Sequence, residues 1–254
     1  QEEWIELFGE EGTVAQTPEA DYWECEPAMA NKNFVSGLSF ALDRKTLAES
    51  IGFTPSANYF GSGYMIDPEN GIAYNSTEAH KNAMKDMLEG TDGYGYSLEK
   101  AKACFKKACD ELICAGTYQP GDTIEIEFAW QTQSDIEYFG DPLKDFILDA
   151  FDNCGGALKL KIKNWVGAKW ELVYYDKMMV GQFDIGFGSI EGNTYDPLNF
   201  LEVLKSDNSS QFTLNWGVDT NKVDGTLFYD GQYWSFDALW AAADRGTFAI
   251  DGQA

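Results

Sequence analysis

Between Ile124 and Phe187 the chain changes its hydrophobic period four times, and that succession restricts the fold more than any other feature. IEIEFAW, Ile124 to Trp130, alternates apolar and polar residues as a strand does, and Ala157 to Val166 alternates again. Between them, Ser134 with Glu137 three residues on forms a capping box for a helix running to about Asp152. A helix from about Lys169 to Val180 and an apolar strand, Phe183 to Phe187, complete the series. Strand, helix, strand, helix, strand in so few residues predicts a parallel sheet with right-handed crossovers, because antiparallel neighbours need no helix between them. Asp141-Pro142 is the weak point of the first helix, since proline lacks an N–H and is tolerated only in a first turn.

Upstream, residues 1–33 have no clean period and read as a lead-in, with one short element around Trp4 to Phe8. From Phe34 the spacing of Phe34, Leu38, Ala41, Leu42 and Leu47 predicts a helix that Gly52 would end. Phe53 to Tyr74 reads as a long aromatic loop, the kind that inside a compact domain is usually either functional or poorly ordered. Asn75 and Glu78 suggest a cap for a helix to about Leu88, and Ser97 opens another that Gly116 closes. The domain reading is a lead-in over 1–33, an α/β lobe over 34–227, and a C-terminal segment over 228–254.

Composition removes several functional classes. The 42 acidic and 18 basic residues give a formal charge of −24, which repels phosphate backbones and anionic bilayers, so no nucleic-acid partner is expected. No apolar run is long enough to span a bilayer as a helix. The lone histidine, His80, falls on a charged helix face and reads as a solvated residue, and no nucleophile elbow accompanies it. Five cysteines cannot all pair with one another. Cys104, Cys109 and Cys114, at intervals of five on one helix, suit neither a zinc site nor a redox CxxC, and read as small buried hydrophobes. Neither GSGY (Gly61 to Tyr64) nor DGYGY (Asp92 to Tyr96) has the spacing of a phosphate cradle. No cofactor and no metal site is expected. DTNKVDG, Asp219 to Gly225, fails as a calcium loop because Val223 stands where an oxygen ligand is needed.

Parallel sheets present ligands beyond the carboxyl ends of their strands. Three segments should meet there: Gln131 to Asp135, Trp165 to Lys169, and Ser189 to Asp196. The third, GSIEGNTYDPLNFLEVL, places polar groups directly after a buried strand. Asp196 suits an N-cap and Pro197 a first helical turn, which leaves Glu191, Asn193 and Tyr195 to face a ligand. Trp130 and Trp165 stand at strand ends, either as core packing or as an apolar platform for a peptide or sugar. Glu125 and Glu127 share a strand face and read as solvated.

The order FVSGLSFALDRKTLAES, a tyrosine-rich loop, YSLEKAKACFKKA, a strand-helix-strand ending in GQFDIGF, and then Asp196 to Leu201 (DPLNFL) resembles the C-terminal lobe of the solute-binding proteins of oligopeptide and dipeptide ABC transporters, solute-binding family 5. The resemblance covers roughly Phe34 to Leu227. It implies a single lobe of a periplasmic-binding-protein-like type II fold: α/β, with a mostly parallel sheet and helices on both faces. It further implies a non-catalytic, monomeric, extracytoplasmic receptor, lipid-anchored in many members, that passes a peptide or other small solute to ABC permease subunits. The family's members are longer, so the chain is expected to be an isolated lobe. Peptide-binding members carry an aspartate for the ligand's ammonium three residues before the D/E-P dipeptide, and here that position is Asn193. The tryptophan many of them have three residues earlier is Ile190. An amide cannot neutralise a buried ammonium, so either Glu191 substitutes, shifted by the extra Gly192, or the ligand is neutral or a peptide held by its backbone alone. The alternatives are the same architecture holding an oligosaccharide or other neutral solute, and a carboxylate-pair glycosidase acting through Glu191 or Glu127. Asp43-Arg44 also fits the family pattern and reads as a structural ion pair or cap.

Overall fold

The computed structural model describes residues 23–58, 60, 61, 63–178, 181–187, 198, 201–205, 220, 227–229 and 231–245. A three-stranded sheet lies at its centre: β3 (Thr123–Trp130) between β4 (Lys159–Val166) and β5 (Ile185–Gly186). Both pairings are parallel, with Thr123 to Trp130 in register with Lys159 to Val166, and Phe128 and Ala129 opposite Ile185 and Gly186. The predicted parallel sheet is therefore present, although β5 is shorter than Phe183 to Phe187.

Alternation sorts β3 into two faces. Ile124, Ile126, Phe128 and Trp130 are buried on one, beneath α1 (Lys32–Ala41), α4 (Leu98–Cys114) and α5 (Asp141–Asp152). Ala129 faces the other way, under α6 (Trp170–Val173) and the π turn Tyr174–Met178, where Val173, Tyr174 and Met178 bury it. Helices thus cover both faces, as the strand pattern requires. Phe34 of α1, Phe105 of α4 and Phe151 of α5 form an aromatic triad, with ring centroids 5.2 to 6.4 Å apart.

Several boundaries differ from the sequence expectation, each for a local reason. The helix predicted from Phe34 is two: α1 stops at Ala41, and α2 (Arg44–Ser50) starts afresh because the Asp43 carboxylate accepts from the Thr46 N–H and hydroxyl at 2.9 and 2.7 Å. Arg44 clamps the joint by donating to the carbonyls of Ser39, Leu42 and Tyr94. The Phe53 to Tyr74 loop contains a small antiparallel hairpin, β1 (Met65–Asp67) and β2 (Ile72–Ala73). Thr77, not Asn75, caps α3 (Glu78–Leu88), and Asn75 lies in a 3-10 turn. His80 is buried rather than solvated, because it shares one stripe of α3 with Met84 and meets the Tyr74 ring edge-on at 5.3 Å. Ser97 caps α4 as expected. Of the three α4 cysteines only Cys109 is a buried hydrophobe, while Cys104 is half-buried and Cys114 exposed.

After β3 the capping box is Thr132 with Asp135, two residues ahead of Ser134 and Glu137. The helix then widens into a π turn, Ile136–Gly140, before α5 begins at Asp141. Pro142 thereby falls in the first turn of α5, where its missing N–H costs nothing, and the predicted helix starts late at Asp141 after the π turn. Residues 23–31 of the lead-in pack against the lobe, with Ala28 fully buried in a 3-10 turn, Pro27–Ala30. The C-terminal segment folds as a hairpin, β6 (Leu227–Tyr229) and β7 (Gln232–Trp234), followed by α7 (Phe236–Asp244), which Ser235 caps. Trp240 of α7 donates from its indole Nε1 to the Leu198 carbonyl at 2.7 Å, and Lys205 lies 4.3 Å from its ring.

At the crossing of α1 and α4, a Cβ on Gly37 would lie 2.6 Å from the Phe105 ring, so only glycine lets the helices approach this closely. Gly37→Ala should therefore lower the unfolding free energy by about 1–3 kcal/mol, the usual cost of overpacking a core. Urea unfolding measures it, and an unshifted midpoint would show that the crossing tolerates the methyl.

Candidate functional site

Because β3, β4 and β5 are parallel and registered, Gln131, Gly167 and Phe187 leave the sheet at one rim. The Phe187 N–H still reaches the Ala129 carbonyl at 2.9 Å, so the third segment starts from a fixed point. Beyond that segment, the Leu198 carbonyl accepts from the Trp240 indole at 2.7 Å. Ile190, Glu191, Asn193 and Tyr195, with Asp196-Pro197, lie outside the described residues, as does most of Asp219 to Gly225.

The two tryptophans are at the rim but not on one surface. Register places Trp165 opposite Ala129 and Trp130 opposite Val166, so their side chains leave opposite faces of the sheet. Trp130 is only 2% exposed. Its indole Nε1 donates to Asn164 Oδ1 at 2.9 Å, and Asn164 Nδ2 donates to Asp141 Oδ1 at 3.0 Å, which ties the strand to the first turn of α5. The π-turn glycine Gly140 leaves room for it, since a Cβ there would be 3.0 Å from the indole. The surface that Trp130 supports is Phe187, whose ring lies 4.9 Å from the indole and stacks on Phe139 at 5.3 Å, and which is 40% exposed. Trp130, Phe128, Leu143, Ile185 and Phe187 line a small apolar cavity of about 60 Å³ at this end of the sheet. Trp165, half-buried on the other face, has Lys177 Nζ 4.3 Å from its ring centroid.

Sequence reasoning missed Phe187, Phe139 and Asn164. Asn164 left a trace: it is the one polar residue in the inward-facing series Leu160, Ile162, Asn164, Val166, and such a residue needs a buried partner. Phe187 had no such trace, because its exposure depends on β5 ending at Gly186.

Deeper in the sheet, β3 has an edge that β5 is too short to cover, and carboxylates fill it. Asp184 accepts from the Glu127 N–H and from the Glu26 N–H, both at 2.7 Å. Glu26 accepts from the Glu125 N–H at 3.1 Å and from the Tyr118 hydroxyl. A polar cleft of about 320 Å³ opens here, lined by Glu26, Glu125, Glu127, Lys163 and Asp184 among others. Two of its acids, Glu125 and Glu127, are matched by lysines. Glu125 pairs with Lys161 and Lys163 at 3.0 and 2.5 Å, and these bonds, Lys163's foremost, hold its carboxyl below the usual range. Glu127 pairs with Lys177 and is half-buried rather than solvated. Glu125, its carboxyl held ionised in this way, does not suit the general-acid role a glycosidase requires of one partner. Among the described residues no group of three or more histidine, cysteine, aspartate or glutamate side chains is placed to hold a metal ion. No helix among them is long and apolar enough to cross a membrane.

No family model matches the sequence, and no curated protein does. Solved structures do match in fold. A peptide-binding protein of a peptide ABC transporter aligns with 24% identity over 73% of this chain and 71% of its own, with a TM-score of 0.51. The substrate-binding domain of an oligopeptide ABC transporter from Bacillus anthracis aligns with 20% identity over 85% of this chain and 37% of its own, TM-score 0.51. The pheromone receptor PrgZ, whose structure describes its mode of peptide binding, aligns with 14% identity over 76% of this chain and 32% of its own, TM-score 0.50. The chain thus spans about a third of the length of two of them. The architecture is that of a lobe of type II solute-binding proteins, which agrees with the resemblance read from the sequence.

Replacing Asp184 with alanine would strip two backbone N–H groups of their acceptor. We expect a loss of about 2–4 kcal/mol in stability. Limited proteolysis should cut residues 23–31 sooner in the variant; unchanged stability and protection would show that water replaces the carboxylate without cost.

Proposed function

We propose that this chain is the ligand-facing lobe of an extracytoplasmic solute receptor for an ABC importer, and that its solute is a peptide. The observation that carries the proposal is the rim, where three parallel strands release their following segments together and an exposed phenylalanine stands on a buried tryptophan. Such a rim is where open α/β sheets take ligands, and the folds it resembles belong to proteins described as peptide-binding. In this reading Phe187 offers an apolar contact, Trp165 with Lys177 flanks the rim from the other face, and Ile190, Glu191, Asn193 and Tyr195 supply the remaining contacts. The chemistry is reversible capture without turnover. In a two-lobed receptor the second lobe closes over the bound solute, and permease subunits receive it. Monomeric state and a lipid anchor on the full-length protein complete the proposal.

One residue favours a second reading. Asn193 carries no charge to neutralise a peptide's ammonium, so a neutral solute such as an oligosaccharide, or a peptide held by its backbone, fits that position equally.

Calorimetric titration of the chain with free-amine peptides, their N-acetylated counterparts and oligosaccharides separates these readings. Peptide binding should be weak, because a single lobe offers half a cleft, and Phe187→Ala should weaken it about tenfold through the lost apolar contact. Asn193→Asp should strengthen free-amine peptides selectively. Heat from oligosaccharides alone would replace the peptide by a sugar, and indifference to both substitutions would place the ligand elsewhere.

A further inference from the structure

Two of the five cysteines approach each other, and neither has a part in the rim. Cys109 sits in mid-α4, fully buried beside Phe105 and Leu112, and Cys154 follows the end of α5, half-buried against the same core. The chain then turns through Gly155, whose φ is +74°, and Gly156, whose N–H donates to the Cys154 Sγ at 3.3 Å. Gly156 shows how close the thiols are. A Cβ at that position would lie 2.6 Å from the Cys109 Sγ and 3.2 Å from the Cys154 Sγ. Both sulfurs therefore point at one small space that stays open only because residue 156 has no side chain. The remaining cysteines are not so placed. Cys104, Cys109 and Cys114 recur at intervals that spread them around the α4 cylinder, and Cys25 lies at the polar cleft beside Asp184.

We infer that Cys109 and Cys154 form an intramolecular disulfide when the protein meets a disulfide oxidant, fastening the middle of α4 to the connection between α5 and β4. The oxidant is a small-molecule disulfide such as oxidised glutathione. Cys154 is the thiol that solvent reaches, so its sulfur is the one that attacks a sulfur of the oxidant, its proton passing to solvent. That step breaks the oxidant's S–S bond, forms a mixed disulfide and expels one thiolate, which takes up a proton. Cys109 then loses its proton and attacks the Cys154 sulfur, forming the Cys109–Cys154 bond and expelling the oxidant's second thiolate, which is protonated in turn. The protein gives up two electrons and two protons, and the oxidant leaves as two thiols. Burial first, and then the neighbouring Cys154, push the Cys109 thiol up to about 11, so the closing step waits for that thiol to ionise in place. It nevertheless stays local, since no external reagent reaches Cys109 directly.

The bond would close a loop that spans α5 and β3, and so restrict the unfolded chain. The full chain, incubated folded with oxidised glutathione and digested without reductant, should yield one cross-linked peptide joining Cys109 to Cys154. Its melting temperature should rise by about 10 °C over the reduced chain. Dithiothreitol should reverse the rise, Cys154→Ser should abolish it, and the combined Cys25→Ser, Cys104→Ser and Cys114→Ser variant should keep it. The inference is overturned if Cys109 and Cys154 are both still alkylated in the oxidised sample, if Cys154 stops at the mixed disulfide, or if either cysteine pairs elsewhere. The peptide map of the unsubstituted chain decides the matter even if a variant fails to fold.

Discussion

A buried strand must find an acceptor for every N–H on both of its edges, and in β3 that requirement is met on one side by backbone and on the other largely by side chains. β4 pairs with β3 along its full length. β5 reaches only Phe128 and Ala129, so the Glu125 and Glu127 N–H groups turn to the carboxylates of Glu26 and Asp184. These two acids do the work of strand residues that β5 does not supply. The arrangement draws residues 23–31 onto the lobe, because Asp184 also takes the Glu26 N–H. It also confines β5 to Ile185–Gly186, so that Phe187 emerges at the rim at the level of Trp130. The site follows from an edge that is only partly paired.

The strands were legible in the sequence, and many of the details that position side chains were not. Alternation in IEIEFAW and in Ala157 to Val166 can be met only by strands with one buried face, and both formed close to the expected bounds. Caps were harder, because Thr132–Asp135 and Ser134–Glu137 overlap and satisfy the same pattern, and the chain forms the reciprocal hydrogen bonds of the first. His80 misled because its surroundings in sequence are charged, whereas its surroundings in space are Tyr74 and Met84. Trp130 and Trp165 both fall at strand ends, yet parity sends them to opposite faces, a distinction that needs the register and not the position alone. The polar contacts expected from Ile190 to Tyr195 depend on a loop that no period describes, which is why residue types alone had to nominate them.

The rim and the polar cleft divide the lobe's chemistry between them. At the cleft, acids are already paired with lysines and with backbone N–H groups, so their charge is spent on holding the sheet together. At the rim the described surface is aromatic, with Phe187 outward and Trp130 behind it. In the proposed reading, a chain of charge −24 that offers an apolar contact where its strands end would take a solute recognised by shape and by backbone or hydroxyl hydrogen bonds. Hydrogen exchange with and without a saturating free-amine peptide tests this division most directly. Exchange should slow in the fragments carrying Gln131, Gly167 and Phe187 and stay unchanged around Glu26 and Glu127; slowing confined to the cleft, with an indifferent rim, would refute the division.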